Sequence, residues 1–492
     1  MSATLPGPSS NASPPRQTIE VATGLGPVAG TVVDGVADFR GVCYASGTRF
    51  GESADPVQAQ MTPAAFPQRP GMLNALLGVA LGELGQSEDA FTVRIQAPLG
   101  VTGAPVIVFI PGGAFTSGSG EARWFSSADW VCNGQVVLVS VNYRLGALGT
   151  ISPDGDPSGS ARAFRDLKRA VRWVHSNIRL FGGDPDNVTL SGDSAGAWYA
   201  YGLASTPDLA GLIARALLIS LPRLDPLSRE DDAARRTGFL EGLGDEASRV
   251  DLSDTAVERI LDAQVSAAAS YRGNGMAFTP AACDDLPPWL TDYDLSGPAL
   301  GLNNLLVLTS TDEAAAFLQG APRERFTSAY VDDFTAQHFT KPSDVAAYLT
   351  IRRGVTSPYR RVVDLSTLHQ FRLPALQIAR AAAASGTTVK VVRFGVRSLV
   401  PELGSPHCMV LPFLFGGRSA WHDAPMLAGL DPALFDRAQA DLREVVLAFV
   451  RDWPGDRLVG GPLYPSTLDI DEIGVRVTPP DDQELALIDV VR

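Results

Sequence analysis

The chain has 492 residues, of which 45% are hydrophobic and 19% charged, the profile of an ordinary globular protein rather than a disordered one. Its 40 Lys and Arg against 54 Asp and Glu leave a net charge of −14, which argues against nucleic acid or an anionic membrane as partner, because phosphate binding needs clustered cations. This length admits several domains, or one large sheet with insertions.

Residues 1–17 are rich in Pro, Ser and Ala, without a basic start or an apolar stretch, and are expected to form a disordered tail rather than a secretion signal. Residues 18–492 are read as one catalytic domain. No run of about 18 apolar residues exists, so no membrane span is expected. Val106–Ile110 is a continuous apolar run ended by Pro111-Gly112-Gly113, the pattern of a strand buried on both faces. Val136–Val141 reads the same way. Between Ala161 and Leu180, Phe164, Leu167, Val171, Val174 and Ile178 recur at steps of three and four, so a helix packs there on the sheet. Val188–Leu190, Ala216–Ser220, Leu305–Leu308 and Val389–Phe394 are further strands. Alternation of this kind predicts an α/β fold: a mostly parallel sheet with helices on both faces. The segment 223–288 is polar and helix-rich, and is expected to be a helical insertion lying over the active site.

The strand at Val188–Leu190 runs into Gly192-Asp193-Ser194-Ala195-Gly196, after which a helix is expected. Gly-x-Ser-x-Gly at such a joint forms a sharp turn that exposes the serine hydroxyl, so Ser194 is the candidate nucleophile. A serine needs a base, and the chain has five histidines. His175 precedes the serine inside the amphipathic helix and is read as structural. His407 lies in a loop ahead of the apolar run Met409–Phe415, which suits a base held over the nucleophile. The acid that orients the imidazole belongs after the Leu305–Leu308 strand, where Asp312 and Glu313 both qualify. The oxyanion needs preorganised N–H donors. The turn Pro111–Phe115 supplies those of Gly113 and Ala114, and Ala195 adds a third. Phe115, Trp198, Met409 and Phe413 are candidates for an apolar pocket wall.

Taken together, Phe181–Gly196, Gly112–Phe115, Ser87–Phe91, Asn142–Gly146 and Gly404–Gly416 resemble the type-B carboxylesterase (cholinesterase-like) family of α/β-hydrolases, in its bacterial esterase branch, from about Glu20 to the C-terminus. The resemblance implies the α/β-hydrolase fold and a serine esterase without cofactor or metal. It favours Glu313 as the acid and places Ser220 where relatives carry a serine that touches that acid. It further implies a buried structural ion pair between Glu88 and Arg144. Asp193 stands where Glu is commoner. The segment Gly41–Phe50 is shorter than in relatives, which implies an open entrance. Ala90 replaces a cysteine that forms a disulfide in secreted relatives. With Cys43, Cys132, Cys283 and Cys408 scattered, this implies reduced thiols, no zinc site and a cytoplasmic enzyme. The expected substrate is an uncharged small to medium ester. Acyl transfer, cyclisation, or carbamate and amide cleavage on the same residues, and a non-catalytic binding role, remain alternatives. Oligomeric state is not legible.

Overall fold

The computed structural model describes residues 17–245, 252–273, 275–291, 302–354, 356–451 and 464–491. The expected tail lies outside these apart from Gln17, whose carbonyl accepts the Val32 N–H.

The chain opens with strands that carry no signal strong enough to be read from sequence. β1 (Thr18–Thr23), β2 (Gly26–Val33) and β3 (Val36–Cys43) form an antiparallel meander that joins β4 (Thr92–Pro98). Then come the apolar runs: β5 (Ala104–Ile110), β6 (Val137–Val141), β7 (Gly183–Asp193), β8 (Arg215–Ile219), β9 (Asn304–Ser310) and β10 (Thr388–Phe394). A hairpin, β11 (Thr467–Asp471) and β12 (Gly474–Thr478), closes the far edge. The twelve strands lie in the order β1-β2-β3-β4-β6-β5-β7-β8-β9-β10-β11-β12. From β6 to β11 every neighbouring pair is parallel.

The continuous apolar runs are explained by burial on both faces. In β5, Val106, Val108 and Ile110 enter one core, while Ile107 and Phe109 enter the other. Leu305 and Val307 against Leu306 and Leu308 repeat this in β9. Each such side chain contributes about 1.5–3 kcal/mol on full burial. One core is covered by α1 (Arg162–Asn177), whose Phe164, Leu167, Val171 and Val174 are buried, and by α2 (Ala195–Ala204). Helix α2 is apolar all round and buried along almost its whole length, as such a helix must be. The segment 223–288 contributes α3 (Arg229–Leu243) and α4 (Val257–Ser270), which pack on each other. The opposite core is covered by α5 (Pro432–Val450) through Phe435, Leu442 and Val446. This is the α/β-hydrolase arrangement, with helices on both faces of a mostly parallel sheet.

The implied ion pair is not the one formed. Arg144 forks onto Asp166 of α1, with Nε–Oδ2 and Nη2–Oδ1 both 2.7 Å and both side chains buried. Glu88, 30% exposed, pairs with Arg49 instead. Asp166 lies on the buried face of α1 and meets the planar guanidinium with both oxygens, a geometry that leaves no carboxylate site for Glu88 on that edge.

Candidate active site

The parallel strands all end on one side, and the turns that leave those ends converge, as open α/β sheets arrange their ligand sites. Gly113 and Ala114 follow β5, Ser194 follows β7, Ser220 follows β8, Glu313 follows β9 and His407 lies in the loop after β10.

Ser194 sits between β7 and α2 with φ 55° and ψ −123°, a conformation that costs an L-residue energy. Its N–H donates to Ile219 O (2.9 Å) and its carbonyl accepts from Trp198 N (3.0 Å), so both flanks of the turn are pinned. A Cβ on Gly196 would stand 2.0 Å from Ile110 O, so only glycine lets α2 approach the end of β5. The turn after β5 is strained as well. Gly113, Ala114 and Phe115 all have positive φ, at 130°, 53° and 65°. Their chain reversal is held by Thr116 N and Ser117 N donating to Gly113 O, both at 3.0 Å. The Gly113 and Ala114 amides donate to no other group among the described residues, and both residues line the cavity that holds Ser194. Ala195 opens α2, so its N–H has no acceptor within the helix.

Glu313 and His407 are fully buried and joined. His407 Nδ1 and Glu313 Oε2 are 2.6 Å apart, and His407 N–H donates to Glu313 O (3.2 Å). The other carboxylate oxygen, Oε1, accepts from Ser220 Oγ and from Ser310 N, each at 2.6 Å. Ser220, expected beside the acid, therefore touches it. Asp312, the rival in sequence, is committed elsewhere. Its carboxylate pairs with Arg360 and accepts from Ser405 N (2.9 Å) and Thr311 Oγ1 (2.7 Å), which ties down the loop that carries His407. The imidazole packs against the stacked pair Phe317 and Phe371, with both ring centroids 5.0 Å away. Burial disfavours the imidazolium. The Glu313 hydrogen bond and charge, with the Asp193 charge, outweigh it, and the His407 pKa is raised. His407 Nε2 has no hydrogen-bond partner, and Ser194 faces the same cavity. Burial also pushes the Asp193 carboxyl up to about 6. Three side chains with metal-ligating atoms, Asp193, His407 and Cys408, converge here.

The cavity has an accessible volume of about 70 Å³ and is mostly apolar. Met72, Leu73, Leu77 and Leu81 form one wall, and Trp124, stacked on Trp421 at 5.0 Å, forms another. Phe317 and Met276 complete it, the latter supplied by the 223–288 segment. None of the four residues expected as pocket wall lines it. Phe115 and Trp198 pack edge to face under the turn, and Trp198 Nε1 donates to Leu224 O (3.0 Å). Met409 is fully buried, and Phe413 stacks on Phe435 of α5. Tertiary packing turns these side chains away from the void and into the core. Gly41–Phe50 contributes no lining residue either. Of the residues that sequence reasoning missed, Phe317 had a signal: it stands four residues after Glu313, one helical turn on. Leu73, Leu77 and Leu81 also recur at helical spacing, but Trp124 and Trp421 are brought together only by the fold.

Residues 17–426 match the carboxylesterase family. A probable N-octanoylanthranilate hydrolase of Rhodococcus erythropolis is 32% identical over 441 residues, 85% of this chain and 88% of that protein. The phenmedipham hydrolase of Pseudarthrobacter oxydans is 28% identical over 491 residues, 94% of this chain and 96% of its own. A solved PNB esterase has a TM-score of 0.79 at 27% identity, covering 95% of this chain and 99% of that one. The chain belongs to the carboxylesterase family and is an ester-hydrolysing enzyme.

Proposed function

We propose that the enzyme works by acyl transfer through Ser194, with His407 as base, Glu313 as acid and Ser220 as the residue that positions Glu313. The observation that carries this reading is the 2.6 Å bond between His407 Nδ1 and Glu313 Oε2, which leaves Nε2 without a partner at the cavity that Ser194 also lines. Held in that tautomer, Nε2 takes the proton from Ser194 Oγ as the hydroxyl attacks the carbonyl. The Oγ–Nε2 hydrogen bond forms as substrate enters, as such bonds do on going from the free to the loaded enzyme. The oxyanion is received by the N–H groups of Gly113, Ala114 and Ala195. His407 then gives its proton to the leaving alcohol, and water releases the acid in a second round.

The substrates are uncharged esters with an apolar group that fills the space between Leu77, Trp124 and Phe317. The 223–288 segment covers the bound substrate through Met276. Four unpaired cysteines suit a reducing compartment, and we place the enzyme in the cytoplasm. Among the described residues no helix is long and apolar enough to cross a membrane.

A second reading is cleavage of an N-acyl bond on the same residues, favoured by the similarity to the N-octanoylanthranilate hydrolase and by the apolar cavity. The test is a panel of para-nitrophenyl esters of rising chain length run beside N-octanoylanthranilate, with products identified by mass spectrometry. Free acid from esters of medium chain at the highest kcat/KM supports the ester reading. Faster release of anthranilate than of any ester alcohol favours the second.

A further inference from the structure

Asp193 and Cys408 line the cavity with Ser194 and have no part in the proposed acyl transfer. Asp193 is 2% exposed; its Oδ2 accepts the Cys408 thiol at 3.5 Å, and its Oδ1 has no hydrogen-bond partner. A buried carboxylate oxygen left without a donor is costly and calls for an explanation. His407 Nε2, 1% exposed, is also without a partner.

One donor atom from each of Asp193, His407 and Cys408 lies within 4.8 Å of the other two. The Sγ–Oδ2 separation of 3.5 Å is close to the edge, about 3.6 Å, of a tetrahedron drawn around Zn²⁺ with Zn–S about 2.3 Å and Zn–O about 2.1 Å. Glu313 holds the far nitrogen of the imidazole at 2.6 Å, the carboxylate–histidine relay that orients a metal-binding ring. Nitrogen, sulfur and oxygen donors together suit Zn²⁺ or Co²⁺ and not Mg²⁺ or Ca²⁺. All three residues line the cavity, so the ion has the substrate's path of entry.

We propose that Asp193, His407 and Cys408 bind a soft divalent cation such as Zn²⁺, and that the bound ion switches the enzyme off by occupying His407 Nε2. Cys408 binds as the thiolate and its proton passes to solvent; no bond to Ser194 forms or breaks. The inhibitory half rests on the proposed role of His407 as base, whereas the binding half does not. Asp193 and Cys408 are 215 residues apart, so no short ligand spacing announces the site.

The test uses the full chain, freed of metal by chelation. ZnCl₂ is titrated against turnover of a para-nitrophenyl ester, and CoCl₂ against absorbance. Wild type is expected to lose turnover as one ion binds and to regain it with EDTA, and its Co²⁺ form to show a thiolate-to-cobalt charge-transfer band. Cys408→Ala abolishes the band. Cys408→Ala and Asp193→Asn each raise the Zn²⁺ concentration for half-inhibition by more than about tenfold, the loss that even an outer partner of a metal ligand can cause. Equal half-inhibition in wild type and both variants, or one bound Co²⁺ without the band, overturns the proposal. A band in a protein that turns over no ester keeps the metal site and removes the serine reading instead.

Discussion

Glu313→Gln separates the proposed acid from its neighbour. Gln has one carbonyl oxygen where Glu has two. At Oε1 it meets two donors, Ser220 Oγ and Ser310 N, each at 2.6 Å; at Oε2 it meets only His407 Nδ1. The single oxygen is therefore drawn to the two-donor side, and the amide NH₂ turns to the imidazole. Two donors cannot bond, so Nδ1 gives up its proton and Nε2 takes one. The ring then has no lone pair to accept from Ser194. The analogous swap in a serine protease triad costs about 10⁴ in kcat, or about 5.4 kcal/mol of barrier. Asp312→Asn keeps an acceptor for Ser405 N and Thr311 Oγ1 and loses the charge pairing with Arg360, so its effect falls on stability, with turnover reduced by no more than about tenfold, one step of about 1.4 kcal/mol. Both variants are assayed with a para-nitrophenyl ester, active sites counted by burst titration and folding checked by circular dichroism. Turnover by Glu313→Gln within tenfold of wild type, or an equal loss in Asp312→Asn, refutes the reasoning.

Three further outcomes are expected. Ser194 holds a φ of 55° that strains any residue with a Cβ. Relief of about 1–3 kcal/mol, less about 0.5–1 kcal/mol for glycine's freer unfolded chain, makes Ser194→Gly about 0.5–2 kcal/mol more stable than Ser194→Ala. Urea unfolding compares the two, and a glycine variant no more stable than the alanine one removes the strain argument. Reaction needs the neutral imidazole, and the His407 pKa is raised, so kcat/KM falls as pH drops through a value above the ordinary histidine pKa of about 6.5. Asp193→Asn removes one of the two carboxylates that favour the imidazolium and moves that acid limb to lower pH. An unmoved or upward-shifted limb contradicts this account of the charges.

How much was legible depended on whether a feature is local. The runs that became β5 to β10 were plain because burial on both faces keeps most of each run apolar, with Ser140, Thr189, Lys390 and Arg393 as exceptions inside them. Ser194, Gly113 and Ala114 were legible because a strained turn needs particular residues in sequence. His407 and Glu313 stood out by chain order, but Asp312 and Glu313 are adjacent acids in one loop and their chemistry is alike. The resemblance favours Glu313, and the partners drawn in from other elements differ: Arg360 and Ser405 at Asp312, His407 and Ser220 at Glu313. The opening meander was missed because β1 and β2 are partly exposed and form no apolar run, while glycine and charged residues interrupt β3. The pocket wall was misjudged for a related reason. An aromatic residue beside a motif, such as Phe115 or Trp198, gives no sign of whether it faces a void or the core. The partner of Arg144 was misassigned because Asp166 is recruited through a helix face, 22 residues along the chain.

The central claim, an acyl-enzyme on Ser194, is tested most directly by rapid quench of the enzyme with a slowly deacylating para-nitrophenyl ester, followed by digestion and mass spectrometry. The account predicts one acyl group per chain, on the peptide that contains Ser194, formed at the rate of the burst and missing from Ser194→Ala. Turnover of the ester with no adduct there, or an adduct and turnover that persist in Ser194→Ala, would contradict it.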